Sequence, residues 1–70
     1  MKQQLEAKGW VMYYECVRRC GHKQYYNHPD HQKYEVVVKG NTFNIRLENH
    51  VIGGPFHRYQ LDEKLKQFVK

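Results

Sequence analysis

Residues 34–47 read Tyr34-Glu35-Val36-Val37-Val38-Lys39-Gly40-Asn41-Thr42-Phe43-Asn44-Ile45-Arg46-Leu47. Two runs rich in β-branched and aromatic residues flank a Gly-Asn pair, the composition of two strands joined by a tight turn. Glycine first in a two-residue loop suits a type II′ turn, whose first central residue needs a positive φ. That turn sets the register. Lys39 faces Thr42, Val38 faces Phe43, Val36 faces Ile45 and Tyr34 faces Leu47. The three apolar pairs fall on one face. The opposite face pairs Val37 with Asn44 and Glu35 with Arg46, a mixed polar set with one complementary ion pair. A slip of one residue would scramble both faces. Turn chemistry and cross-strand pairing agree, and together they predict an antiparallel hairpin with one buried face.

A buried face needs a cover. Downstream, Leu61, Leu65, Phe68 and Val69 stand at i, i+4, i+7 and i+8, one stripe of a helix from about Gln60 to the end. Asp62 and Glu63 in its first turn and Lys66 and Lys70 towards its end suit the helix dipole. Between hairpin and helix, Val51-Ile52 reads as a brief strand that Gly53-Gly54-Pro55 must break. Upstream, Trp10 to Arg18 reads as a strand, with a helix ending at Gly21 as the alternative. Lys23 to Asn27 returns as a second strand, and Pro29-Asp30 marks a turn. Lys2 to Lys8 reads as a short helix anchored by Leu5 and stopped by Gly9. The expected fold is α+β: a short N-terminal helix, an antiparallel meander of three to four strands, and a C-terminal helix packed on one face. Residues 1–70 form a single domain on this reading.

The chain has 70 residues and a formal net charge of +5. So short a chain buries little core. The charge favours an acidic partner, and nucleic acid ahead of an anionic membrane, because no basic amphipathic helix stands out. No apolar run approaches the length of a membrane span. Met1-Lys2-Gln3-Gln4 lacks the apolar segment of a signal peptide. The expectation is a cytoplasmic chain with reduced thiols.

Residue types with chemistry concentrate between Arg18 and His31. The run Arg18-Arg19-Cys20-Gly21-His22-Lys23-Gln24-Tyr25-Tyr26-Asn27-His28-Pro29-Asp30-His31 holds three histidines, three cations and a tyrosine pair. Cys16, Cys20, His22, His28 and His31 include the ligand types zinc takes. Their spacing argues against a site, since residues four apart on a strand are separated by about 13 Å. The same separation argues against a disulfide between Cys16 and Cys20. No metal or other cofactor is implied. Gly53-Gly54-Pro55 lacks the Lys-Ser/Thr that follows a phosphate-cradling loop. A metal-free ribonuclease needs less: a histidine as general base or acid, and cations for the phosphorane charge. His22 beside Lys23 and Arg18-Arg19 offers those parts. Binding is the broader option. Arg18, Arg19, Lys23, Lys33, Lys39 and Arg46 fall in the strand region, interspersed with Tyr13, Tyr14, Tyr25 and Tyr26, and His28 lies beside them. Cations hold phosphates and outward tyrosines stack on bases. Adjacent tyrosines on a strand point to opposite faces, so one of each pair is expected outward.

The order of features also carries a resemblance. A leading helix, Lys8-Gly9-Trp10, a strand, Gly21-His22-Lys23-Gln24-Tyr25-Tyr26-Asn27-His28-Pro29, a further strand and a final helix resemble the HicA/YcfA-like toxins of bacterial toxin–antitoxin pairs. The similarity spans about half the chain. It implies a fold like the double-stranded-RNA-binding domain, an mRNA interferase activity that blocks translation, and an antitoxin-like protein partner. Members carry Gly followed by Ser-His and, a few residues on, His-Pro. The family's catalytic histidine sits two positions after the glycine, where this chain has Lys23. His22 is one position early. The resemblance thus implies His22 as base or acid, with Lys23 or Arg19 steadying the phosphate.

The reading these features favour is a small basic domain that binds nucleic acid, RNA in preference to DNA, through a cationic, tyrosine-bearing sheet region. The binding residues are Arg18, Arg19, Lys23, Tyr25, Tyr26, His28, Lys33 and Arg46. One alternative is a HicA-like interferase with His22 and Lys23 as catalytic residues. Another is a protein-interaction or homo-oligomerisation module in which the segment from His50 to Tyr59 presents Val51, Ile52 and Phe56 to a partner or a second copy.

Overall fold

The structure, a computed structural model, describes residues 1–19 and 21–69. Its elements are α1 (Lys2–Ala7), β1 (Val11–Cys16), β2 (Lys23–Asn27), β3 (Tyr34–Lys39), β4 (Thr42–Leu47), β5 (His50–His57), a 3-10 turn (Arg58–Gln60) and α2 (Leu61–Phe68). The strands form one antiparallel five-stranded sheet in chain order. This is the expected α+β arrangement with one further strand.

The β3–β4 hairpin has the deduced register, from Lys39 opposite Thr42 to Tyr34 opposite Leu47. Gly40 has φ 62, and Asn41 is not among the residues of positive φ, the pattern of a type II′ turn. The apolar face is the core. Val36, Val38, Phe43 and Ile45 are buried together with Tyr26 from β2, Leu5 from α1, Trp10, and Leu61 and Leu65 from α2. Phe68 packs on Phe56 at 5.7 Å, and Phe56 on Phe43 at 5.6 Å, extending the core to the β5 edge. Lys8 reaches Asp62 at 2.8 Å and ties the end of α1 to α2. That hydrogen bond and the lysine's charge hold the Asp62 carboxyl below its ordinary range. Both helices therefore cover the same face, and among the described residues no helix covers the other face of the sheet.

Four expectations change. The first strand ends at Cys16, short of Arg18, and Trp10 precedes it as a buried residue. Cys16 is disulfide-bonded, which corrects the expectation of a reduced thiol. That expectation followed from the cytoplasmic reading; Cys20 lies outside the described residues. The Gly53-Gly54-Pro55 segment does not break the strand but runs inside β5, with register shifts around Ile45. An edge strand tolerates proline because its outer side has no ladder to interrupt. Gly54, at φ 116, is required by close approach: a Cβ there would sit 2.4 Å from Asn44 Oδ1 and 2.9 Å from the Phe43 carbonyl oxygen. Finally, Glu48 and Asn49 both have positive φ, 51 and 69. They form the two-residue turn that makes β5 a full partner of β4.

The chain enters α2 through the 3-10 turn, where the His57 imidazole accepts the Tyr59 N–H and the Gln60 side chain accepts the His57 N–H. The helix starts one residue later than the periodicity suggested, and Val69 follows it. Lys70 lies outside the described residues. Among the described residues no helix is long and apolar enough to cross a membrane.

Candidate nucleic-acid interface

The sheet face opposite the helices is organised by register into three rows. The middle row runs Tyr14, Tyr25, Val37, Asn44 across β1 to β4. One flanking row runs Cys16, Lys23, Lys39, Thr42, His57 across all five strands. The other runs Val11, Asn27, Glu35, Arg46, Val51. Alternation sends these side chains away from the core and their chain neighbours into it.

A bulge in β1 adds to the middle row. The β1–β2 register shifts between Met12 and Tyr14, so Tyr13 has no partner of its own. A bulge leaves the extra residue unpaired and re-aims its side chain. Tyr13 and Tyr14 consequently share the open face, 51% and 55% exposed. Their ring centroids lie 6.2 Å and 5.5 Å from that of Tyr25. This corrects the expectation that one tyrosine of the Tyr13-Tyr14 pair points inward. The Tyr13 hydroxyl donates to the Glu35 carboxylate. Burial first, then that hydrogen bond and the nearby negative charge, push the phenol up to about 12. Tyr13 is therefore a fixed neutral donor, and the acid of the Glu35 row is already engaged.

The cations divide by position. Lys23 and Lys39 share one row, and Arg18 and Arg19 are exposed in the turn that follows β1 at the same end of the sheet. The ion pairs among the described residues are Lys8–Asp62, His22–Glu15 and Lys33–Glu48, so none involves these four. Lys33 lies at the opposite end, in the turn before β3, with its ammonium 3.6 Å from Glu48. Arg46 is on the open face opposite Glu35 and donates to the Asn49 carbonyl oxygen at 3.2 Å.

Two expected binding residues are not available. Tyr26 is fully buried on the core face, its hydroxyl donating to Gln24 Oε1 at 3.1 Å. It pairs with Val36 and Met12 among core side chains, so no base can stack on it. His28 is half-buried against Trp10, with ring centroids 5.3 Å apart. Its Nδ1 accepts the Asp30 N–H at 3.0 Å, which leaves Nε2 to donate to the Lys8 carbonyl oxygen at 2.8 Å. Both nitrogens are used in holding the β2–β3 turn to the end of α1.

The proposed catalytic pair is also separated. Lys23 belongs to the open face. His22, at φ 59, turns to the other side, where its Nε2 lies 2.8 Å from Glu15 Oε2. Gln24 Nε2 donates to the same carboxylate oxygen at 3.0 Å. The hydrogen bonds from Gln24 and from His22, in that order, hold the Glu15 carboxyl below its ordinary range. The result is a chain of contacts from the buried Tyr26 hydroxyl through Gln24 and Glu15 to an exposed imidazole. A carboxylate held in this way orients an imidazole for proton transfer.

The apolar patch of the interaction-module reading is smaller than expected. Val51 and Ile52 are exposed, but Phe56 packs between Phe43 and Phe68. Among the described residues no three of His, Cys, Asp and Glu gather as ligands for a metal ion. Sequence reasoning missed Tyr13 and Tyr14 as a joint platform, because a bulge leaves no local signature here. It also left Lys39 out of the binding set, although the hairpin register already put that residue on the polar face. Comparison of the chain with protein-family models, curated proteins and solved structures returns no match.

Proposed function

We propose that the uncovered sheet face binds single-stranded nucleic acid, with RNA ahead of DNA. The observation that carries this reading is the set of tyrosines Tyr13, Tyr14 and Tyr25 on that face, bordered by the Lys23–Lys39 row and the Arg18-Arg19 turn. Bases stack on such rings while cations hold the backbone. A duplex hides its base faces, so the platform suits an unpaired strand. RNA takes precedence because the resemblance is to proteins that act on RNA.

The test is the salt dependence of binding to short labelled single strands. Each phosphate neutralised contributes a slope of about −0.7 in log K against log salt for single strands, so four cations set a ceiling near −3. Duplex of the same sequence is expected to bind more weakly. No binding to any oligonucleotide at low salt, or a preference for duplex, would reject the reading.

A second reading has its own observation, the 2.8 Å contact of His22 with Glu15. An oriented imidazole able to take the proton from a ribose 2′-hydroxyl is the minimum for cleavage without metal. Incubation of the same RNA with the protein decides it. Products ending in 2′,3′-cyclic phosphate, lost in His22→Gln, are expected if the pair is catalytic. Intact RNA would remove the reading and leave the platform in place.

A further inference from the structure

Lys23 and Lys39 stand directly opposite one another across β2 and β3. Like charges in that relation repel. Lys23 is half-buried, so water screens it less than it screens a free surface lysine. Thr42, next to Lys39 in the row, carries no charge. Arg18 and Arg19 add the same sign in the adjoining turn. The nearby carboxylates are committed elsewhere. Glu15 holds Gln24 and His22 beyond the other face, and Glu35 accepts the Tyr13 hydroxyl.

The turn backbone contributes as well. Gly21, at φ 67, has no side chain, and a Cβ there would lie 3.4 Å from Lys39 Cε and 3.8 Å from Lys39 Nζ. The Lys39 side chain therefore lies along the β1–β2 turn, with its ammonium beside Gly21. An oxyanion at this point removes the lysine–lysine repulsion and gains charge-assisted hydrogen bonds from both ammonium groups.

We propose that Lys23 and Lys39, beside the Gly21 backbone, form a phosphate subsite at one end of the open face. It takes a phosphodiester of the strand whose bases lie on Tyr25, two residues along β2 from Lys23 and about 7 Å away, and on its β1 partner Tyr14. The identity of that ligand rests on the single-strand reading above. The anion chemistry rests on the register and on the place of Lys39 beside Gly21.

The probe for the subsite is inorganic pyrophosphate, with sodium chloride at matched ionic strength as control and thermal midpoint as readout. Pyrophosphate is expected to raise the wild-type midpoint beyond the chloride control. Lys39→Gln and Lys23→Gln are expected to lose that increment while being no less stable than wild type at low salt without anion. Each variant is also expected to lower the oligonucleotide salt slope by about 0.7. An undiminished pyrophosphate increment in both variants overturns the subsite, as does an unchanged salt slope in both. If pyrophosphate stabilises wild type alone but no oligonucleotide binds, the anion site stands and its ligand is a free phosphate compound. If oligonucleotide binding depends on Tyr14 but not on either lysine, the platform stands and the subsite falls.

Discussion

Replacing Tyr14 and Tyr25 together with alanine is expected to weaken single-strand binding about thirtyfold or more, since each base–aromatic stack is worth about 1–3 kcal/mol. The two rings are cross-strand partners on the open face, with centroids 5.5 Å apart. The pair also contributes to the sheet, on the order of 0.2–1 kcal/mol, so a drop of a few degrees in thermal midpoint accompanies the loss. Tyr59→Ala is the matched control. Tyr59 is 79% exposed in the 3-10 turn and packs on His57 and Arg58 rather than on the platform. Binding measured by anisotropy should be lost in the double variant and kept in the control. Equal affinity for the double variant and wild type would mean that bases do not stack on this face.

Phe43→Ala is expected to remove most of the stability of the fold. Phe43 is fully buried, faces Val38 on one side and Phe56 on the other, and joins the hairpin to the β5 edge. Truncating a buried phenylalanine costs about 3–5 kcal/mol. A domain of this size has a total of roughly 4–10 kcal/mol. A urea titration followed by circular dichroism should show the midpoint collapse. Val51→Ala provides the contrast, because Val51 is on the open face and 60% exposed; its midpoint should hardly move. A Phe43→Ala protein as stable as wild type would show that the core does not close around this ring.

The parts of the fold that were legible in advance share one property: their evidence was local. The Gly40-Asn41 turn sits between its two strands, so turn type and pairing could be checked against each other. The Leu61 and Leu65 stripe repeats at helical spacing within a single segment, and both leucines are buried. Leu5 was the main apolar residue available to the first helix and is buried. Where composition pointed away from the outcome, a tertiary partner decided it. Gly53-Gly54-Pro55 reads as a breaker, yet Phe56, Phe68 and Asn44 fill the space that side chains would need there. Glu48 is a poor residue for positive φ, yet it turns the chain because β4 and β5 pair on either side of it.

The candidate site was legible in kind and not in detail. Charge and aromatic content pointed to the sheet; Lys23 and Tyr25 lie on its open face, and Arg18 and Arg19 in the turn after β1. Tyr26 and His28 had the right chemistry and the wrong surroundings. One is enclosed by the core, and the other accepts a backbone N–H at Nδ1 and donates to a backbone carbonyl from Nε2. His22 and Lys23 adjoin in sequence, but a residue at positive φ followed by a strand sends their side chains to opposite faces.

The sequence by itself determined the central hairpin, its register and the helix that covers it, because alternation, turn chemistry and helical spacing each act within a few residues. Tertiary structure alone decided which tyrosines are free. The bulge in β1 turned both Tyr13 and Tyr14 outward, and packing beneath the helices took Tyr26 inward. It also set Lys23 against Lys39, since which side chains stand opposite one another depends on the pairing of strands far apart in the chain.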